Sequence, residues 1–269
     1  MNGPPSTSLR GDLPGRAWGR SSLPALAGLI PPVAALTLAE GPALWLRLCV
    51  LAIVTVGWQL VFARLRRQPI DPHGLVTAAL VALAVPAGAP LWQLLLGISF
   101  GVVIGEQVFG GRGRSFLHPA VVTLAFLMFS FTDQDYRAGP ELGWWTVLPA
   151  LLLLLVAGQV SWRLLAAAAA ALVLLLAVQG AAEPWTVLLD GAVLMVLVFL
   201  AADPVASAAT NPGRWIYGAL VGALAGLFGQ VGAIFGSTVF AILLASIFAP
   251  LIDQLVIALH GRWREGRRG

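Results

Sequence analysis

The chain has 269 residues, of which 59% are hydrophobic and 10% are charged, and its mean hydropathy is +0.88. Because a soluble domain carries about 25% charged residues, this composition excludes a soluble globular protein and predicts an integral membrane protein. The formal charge of +4 comes from sixteen arginines and no lysine. In a membrane protein such an excess indicates orientation in the bilayer rather than nucleic-acid binding.

Ten apolar segments follow a polar N-terminal arm, residues 1–22, which lacks the apolar region and cleavage site of a signal peptide. Several of them are shorter than the ~20 residues that a straight helix needs to cross a bilayer. Proline and glycine interrupt the third and the eighth, which predicts half-helices buried within the protein. In chain order the segments are 23–39, 43–63, 72–87, 91–109, 116–131, 144–160, 163–180, 186–202, 215–230 and 235–258.

The arginines predict the orientation of these segments. If the N-terminus is cytoplasmic and the segments cross alternately, fourteen of the sixteen arginines fall on the cytoplasmic side. Only Arg47 and Arg137 fall outside, together with most of the acidic loop residues. This distribution follows the positive-inside rule. We therefore predict a multi-pass membrane protein with both termini in the cytoplasm.

A weak internal repeat at an offset of 119 residues divides the chain into two halves. It pairs Asp71 with Asp190, and phenylalanines and a glycine of the first half with those of the second. Five segments per half is an odd number, so the halves must be inverted. The predicted fold is an all-α polytopic membrane protein with two inverted five-helix repeats, 23–140 and 141–260, and a basic cytoplasmic tail, 261–269. In such folds the binding site lies where the broken helices of the two halves meet.

Ionisable residues within or beside the apolar segments need a reason, because charges in a bilayer are costly. Each could be a helix cap or a binding group, and they are Asp71, His73, Glu106, His118, Asp190, Asp203 and Asp253. Two stretches go beyond simple capping. One carries Gly110, Gly111 and Gly113, which allow sharp turns close to a ligand, and leads to a helix at Pro119. The other, "AADPVASAATNPGRW", contains Asp203.

Metal and disulfide chemistry is not expected from the residue counts. The single cysteine, Cys49, lies in an apolar run, which excludes a disulfide framework or a thiolate cluster. The three histidines stand at scattered positions. We therefore expect no dedicated multi-histidine metal site.

Three motifs carry a resemblance to a known family over about residues 20–260. They are "PLWQLLLGISFGVVIGEQVFGGRGRSFLHPAVVTLAF", "AADPVASAATNPGRWIYGALVG" and "FAILLASIFAPLIDQLV". They resemble motifs of one family, which comprises the B subunit of the sodium-translocating NADH:quinone oxidoreductase and the D subunit of the Rnf complex. The first stretch resembles the family's Phe-Gly-Gly-x-Gly and Asn-Phe-Leu-Asn-Pro-Ala segments. The second resembles its Thr-Asp-Pro-Val-Ser-Ala run, and the third its Phe-Ala-Pro-Leu-Ile-Asp span. The resemblance implies ten spans with a urea-transporter-like architecture in the bacterial inner (plasma) membrane. It also implies electron transfer between flavins that is coupled to cation movement.

The resemblance also implies a non-covalent riboflavin or FMN between the Asn-Pro-Ala segment and the Asp of Asp-Pro-Val. Those positions are Ser115, His118 and Asp203 here, beside the glycine-rich loop, and both asparagines of the family pattern are replaced. Histidine can donate or accept a hydrogen bond to the polar edge of a flavin. The alternative is a vestigial pocket in which His118 only caps a helix.

Family members also carry a covalent FMN on a Ser-Gly-Ala-Thr motif in the outward loop after the fifth span. Here that loop is "TDQDYRAGPELGW", without the motif. Ser-Ala-Ala-Thr, ending at Thr210, imitates it, but it belongs to the Asp-Pro-Val segment on the predicted cytoplasmic side. We therefore expect no covalent FMN and no modification of Thr210.

Other site residues are transferred from the family with changes. Gly57 and Gln59 stand where quinone-reductase members have a Gly-Gly…Glu stretch near the quinone site, so Gln59 replaces an acid. Asp253 matches an acidic position linked to cation uptake, and an interfacial helix cap is the alternative. Glu106 is a further candidate for ion coupling.

The leading hypothesis is a membrane subunit of a bacterial redox-driven electron-transport complex, non-autonomous and without covalent FMN. Its partners would be other membrane subunits, the lipid bilayer and a cytoplasmic flavoprotein, ferredoxin or iron–sulfur donor, because the chain has no NADH motif and no cysteine ligands. The alternatives are a urea-transporter-like channel and a membrane anchor for a soluble oxidoreductase.

Overall fold

A computed structural model describes residues 22–67 and 72–265, with side chains as far as His260. Arm residues 1–21, Asp71 and the end of the tail lie outside these ranges. The described residues form ten α-helices and one isolated antiparallel bridge between Gly143 and Asp190. The helices are α1 Ser22–Glu40, α2 Pro42–Arg66, α3 Gly74–Ala84, α4 Leu91–Val102, α5 Pro119–Ser130, α6 Trp144–Val156, α7 Trp162–Val178, α8 Gly191–Val196, α9 Asn211–Phe228 and α10 Ile234–Glu265.

Each apolar segment predicted from the sequence coincides with one of these helices. Three of them are long and apolar enough to cross a membrane by length and composition, namely α1, α2 and Ile234–His260 of α10. The other helices are shorter, as expected for half-helices packed inside a membrane protein. The all-helical membrane fold is therefore confirmed, while the ten crossings and the inverted repeat stay predictions.

The short helices form the interior. Every residue of α3 except Leu75 is buried, and so is every residue of α5 from Pro119 to Met128 except Phe126. The residues of α8 are equally enclosed. The long helices α1, α2 and α10 instead expose many large apolar side chains, which suits contact with lipid or with other subunits.

Two of the helices end in a π-helical turn. Val103–Gln107 extends α4, and Leu197–Ala201 extends α8. Single π-turns inside or at the end of α-helices are rare and frequently mark functional sites. Here they lead directly into the glycine-rich loop and the Asp-Pro-Val segment, respectively.

Small residues bring α7 and α9 into close contact. Gly218, Gly222 and Gly226 recur every four residues on α9, opposite the alanine-rich stretch of α7. A methyl group added to Gly222 would collide with the backbone oxygen of Ala168. This is the small-xxx-small packing of membrane helices, in which backbones approach because no side chain separates them.

A buried ion pair closes the turn between α1 and α2. Arg47, only 3% exposed, pairs with Glu40 at the end of α1. Gly41, with a φ of 68°, makes the turn between the two helices. The arginine charge is therefore neutralised inside the protein rather than facing lipid, as intramembrane charges generally are.

We expect Gly222→Ala to destabilise the protein by about 1–3 kcal/mol, because the added methyl group overpacks the contact of α9 with α7. Gly57→Ala is the matched control, since no atom lies within 4 Å of its added methyl group. It should leave the stability unchanged or raise it by up to about 1 kcal/mol through helix propensity. Melting temperatures in detergent, followed by tryptophan fluorescence, compare the two, and equal shifts would contradict the close packing.

Candidate functional site

Three interruptions of helices come together in the interior. His73 precedes α3, His118 precedes α5, and Asp203 follows the π-turn of α8. These side chains are 4%, 2% and 7% exposed, and one nitrogen or oxygen atom of each lies within 4.8 Å of the other two. The first five helices and the last five thus both contribute to one buried polar cluster.

An ion pair connects two of these segments. Arg112 Nη2 donates a hydrogen bond of 3.2 Å to Asp203 Oδ1, and both side chains are at most 10% exposed. Asp203 Oδ2 accepts from the backbone N–H groups of Val205 at 3.1 Å and Ala206 at 3.2 Å. The carboxylate is therefore neutralised by Arg112 and also holds its own turn in shape.

The glycine-rich loop allows Arg112 to reach Asp203. Its flanking residues Gly111 and Gly113 have φ angles of 93° and 87°, a region that other residues rarely adopt. Gly110 also has a positive φ, of 112°. The three glycines thus shape the turn around Arg112. The sequence analysis had suggested instead that they allow the backbone to approach a ligand.

His118 is a helix cap with one nitrogen left over. Its Nδ1 accepts from the backbone N–H of Ala120 at 3.1 Å, so in the neutral ring the proton is on Nε2. Nε2 is buried and has no hydrogen-bond partner among the described residues. The ring meets His73 edge to face, with centroids 5.9 Å apart. The three histidines are scattered along the sequence, whereas the structure brings two of them together.

Other predicted residues surround the cluster. Gln59 on α2 is buried against Gly74, the first residue of α3, which follows His73 in the chain. Gly57 faces open space. Glu106 is buried in the π-turn of α4 and accepts from Gln107 Nε2 at 2.8 Å. Arg66 of α2 donates to the Gln107 side chain and backbone, which connects α2 to this turn.

A cavity of about 80 Å³ adjoins the cluster and is lined in part by His73, Arg112, Phe199 and Asp203. Sites for drug-sized ligands measure about 300–1,000 Å³, so the cavity cannot hold a three-ring flavin in this conformation. Ser115 is buried, but neither it nor His118 lines the cavity. The polar groups suit the edge of a flavin, whereas the space does not.

Asp253 and Thr210 form a separate contact. Asp253 accepts from the backbone N–H groups of Ala209 at 2.7 Å and Thr210 at 3.0 Å, and from the Thr210 hydroxyl at 2.5 Å. Thr210 Oγ1 also caps α9 by accepting from Gly213 at 3.1 Å. Asp253 therefore fastens α10 to the start of α9, and the Thr210 hydroxyl has a structural role.

Sequence reasoning identified some of these positions and missed others. Asp190 is a helix cap, since its Oδ1 accepts from Ala192 at 2.8 Å. Arg112 was not singled out, although an arginine between two glycines was a usable signal. His73 was noted only as a polar residue beside a span, because nothing in the sequence indicates that it meets His118.

The fold and the cluster define a class of protein: a helical membrane protein with ionisable groups buried where its helices are interrupted. The sequence pattern of the NQR2, RnfD, RnfE family matches residues 16–144 and 138–260. The chain belongs to this family.

Several bacterial relatives, each named as the B subunit of a Na(+)-translocating NADH-quinone reductase, are similar to the chain. The protein of Pseudomonas paraeruginosa is 31% identical over 94% of this chain and 76% of its own length. Those of Ectopseudomonas mendocina and Azotobacter vinelandii are 32% and 30% identical over 93% of this chain and 76% of theirs. The first alignment spans 308 residues, more than the 269 of this chain, so the relative has residues without a counterpart here.

We expect Asp203→Asn to destabilise the protein by about 3–5 kcal/mol, because it leaves the Arg112 charge buried without its partner. Arg112→Gln should have a similar cost for the same reason. The double variant should be more stable than the sum of the two changes predicts, since it removes both charges together. Melting temperatures of the four proteins in detergent test this, and strictly additive shifts would show that the pair is not coupled.

Thr210→Ala should cost about 1 kcal/mol, because it removes the cap of α9 and a hydrogen bond to Asp253. Thr210→Ser keeps a hydroxyl at the same place and should restore most of the loss. Melting temperatures again provide the comparison. A Ser variant as unstable as the Ala variant would contradict the capping role.

Proposed function

We infer that this chain is the membrane subunit of a bacterial redox-driven complex that resembles the Na(+)-translocating NADH-quinone reductase and the Rnf system. Family membership supports the class, because the similar proteins are named as subunits of such a reductase. The observation that carries the proposal in the structure is the buried cluster of Arg112, Asp203, His73 and His118. Ionisable residues at membrane depth are costly and usually serve ion or proton pathways or binding.

The cluster connects loops from the two halves of the chain. Arg112 belongs to the loop after α4, and Asp203 to the loop after α8. A change of charge or occupancy on one loop therefore acts directly on the other. In this proposal the pair couples electron transfer within the complex to cation movement through the membrane.

A finer hypothesis is that the chain itself relays electrons through a non-covalent riboflavin or FMN. Asp203, His118 and Ser115 offer polar partners, and the small volume of the cavity, about 80 Å³, is the observation against it. Binding there would require the glycine-rich loop to move away from Asp203. Flavin released by acid from the purified chain, and lost in Asp203→Ala, would support this relay. Flavin-free protein would leave electron transfer to the partner subunits.

The cation pathway has two candidate acids. Glu106 is buried beside Gln107 in the π-turn of α4, and it is the stronger candidate because its place is in the interior. Asp253 already accepts three hydrogen bonds from residues 209 and 210, which accounts for its presence without an ion. Quinone binding near Gly57 and Gln59 is likewise a hypothesis, supported by the burial of Gln59 against Gly74.

Deleting the gene should abolish quinone reduction by NADH or by reduced ferredoxin in membrane vesicles. The tagged chain should co-purify with other membrane subunits. Complementation with wild type should restore the rate, and Asp203→Asn should lower it at least about tenfold at equal abundance, because the buried pair is lost. Glu183→Gln, at an exposed acidic residue, is the matched control and should restore it fully. Unchanged rates with both donors after deletion would contradict the proposal.

The two alternative functions give different results in the same vesicles. A urea-transporter-like channel would conduct a small solute without any reductant, and the redox rates would not depend on the chain. A membrane anchor would co-purify with an oxidoreductase, and Asp203→Asn would leave the activity unchanged at equal abundance. Either pattern would replace the proposed function.

A further inference from the structure

His73, His118 and Asp203 form a donor set that the proposed function does not use as such. One donor atom of each lies within 4.8 Å of the others, and all three side chains are at least nine-tenths buried. Four-coordinate zinc has bonds of about 2.0–2.1 Å to nitrogen and oxygen, which places its ligand atoms roughly 3.3 Å apart. Each pair of atoms therefore has to approach by at most about 1.5 Å, which side-chain rotation can provide.

Two imidazoles and one carboxylate indicate the kind of ion. Sodium, magnesium and calcium prefer ligand sets made of oxygen atoms, whereas imidazole favours transition metals. Two histidines with one carboxylate, leaving positions open, are found at zinc and at non-haem iron(II) sites. The neighbouring cavity of about 80 Å³ has room for an ion with one or two water ligands, although not for a flavin.

His118 has a ring nitrogen that is available as a ligand atom. Its Nε2 is buried without a partner among the described residues, and such an atom is expensive to leave unsatisfied. To bind a metal through Nε2, the ring moves its proton from Nε2 to Nδ1 and gives up the bond from Ala120. One hydrogen bond is thus exchanged for one coordinate bond, and the ring stays neutral.

Arg112 competes with a metal for Asp203. Its guanidinium holds Asp203 Oδ1 at 3.2 Å, and its positive charge would repel a cation bound to the same carboxylate. Gly111 and Gly113, both with positive φ angles, flank Arg112, and metal binding requires Arg112 to move away from Asp203. Arg112 and a metal ion are therefore alternative positive partners of the Asp203 carboxylate.

We propose that His73, His118 and Asp203 form a binding site for a divalent transition-metal ion, Zn²⁺ or Fe²⁺, and that Arg112 competes with this ion for Asp203. The site does not depend on the proposed place of the chain in a redox complex, but it is an alternative to the non-covalent flavin, because both would use His118 and Asp203. Zinc and iron(II) share the ligand chemistry, and metal analysis distinguishes them.

For the test, the complex is purified anaerobically with a tag that contains no histidine, and its zinc and iron contents are measured. Bound metal is then removed with a chelator, and the protein is titrated with Co²⁺. We expect about one metal ion per chain and visible d–d absorption from bound Co²⁺. His118→Asn keeps a good helix cap but removes the imidazole. This variant and the separate variant His73→Gln should each abolish metal binding. His260→Gln, at the exposed third histidine, is the matched control and should bind as wild type does.

Arg112→Gln provides a result that a purely structural cluster would not give. Removing the competing charge should tighten Co²⁺ binding at least about tenfold, and the metal should raise the melting temperature of this variant. The proposal is overturned if wild type and Arg112→Gln bind none of the three metals. It is also overturned if His118→Asn and His73→Gln, eluting as intact complex, bind as much metal as His260→Gln does.

Discussion

The ion pair between Arg112 and Asp203 is the contact on which the interior of this protein depends. Helices that stop inside a bundle leave polar backbone groups and charged turns where no water can solvate them. Asp203 accepts two backbone hydrogen bonds in the turn that follows α8. It also neutralises the charge of Arg112, which belongs to the loop that follows α4. His118 caps α5 beside them. The burial of α3, α5 and α8 is tolerable because these groups satisfy one another.

The same pair gives the site its chemical character. Its two members come from loops after π-turns, one in each half of the chain, so it connects regions that could otherwise move independently. The imidazoles of His73 and His118 add nitrogen atoms of the kind that bind metal ions. In the proposed function, this junction links electron transfer in the complex to ion movement. The long helices expose large apolar side chains, which suits contact with lipid or with other subunits.

Sequence reasoning found the helices because apolar runs, prolines and glycines are local signals. It found Asp203 and His118 because both stand in motifs, and the family match confirms that recognition. It could not place His73 beside His118, since 45 positions separate them and only packing brings them together. It left Asp253 open between cation uptake and an interfacial cap, and in the structure the carboxylate accepts hydrogen bonds from Ala209 and Thr210. The sequence also could not predict the small volume of the cavity, because this volume depends on how the side chains pack in three dimensions.

The most direct measurement is a cryo-EM map of the intact complex, refined at the junction of the glycine-rich loop and the Asp-Pro-Val segment. The account predicts that Asp203, His73 and His118 converge in one compact buried cluster, with Arg112 on Asp203 or with a single-ion density between the three side chains. Side chains that face apart into lipid, or a planar three-ring density separating His118 from Asp203, would contradict it.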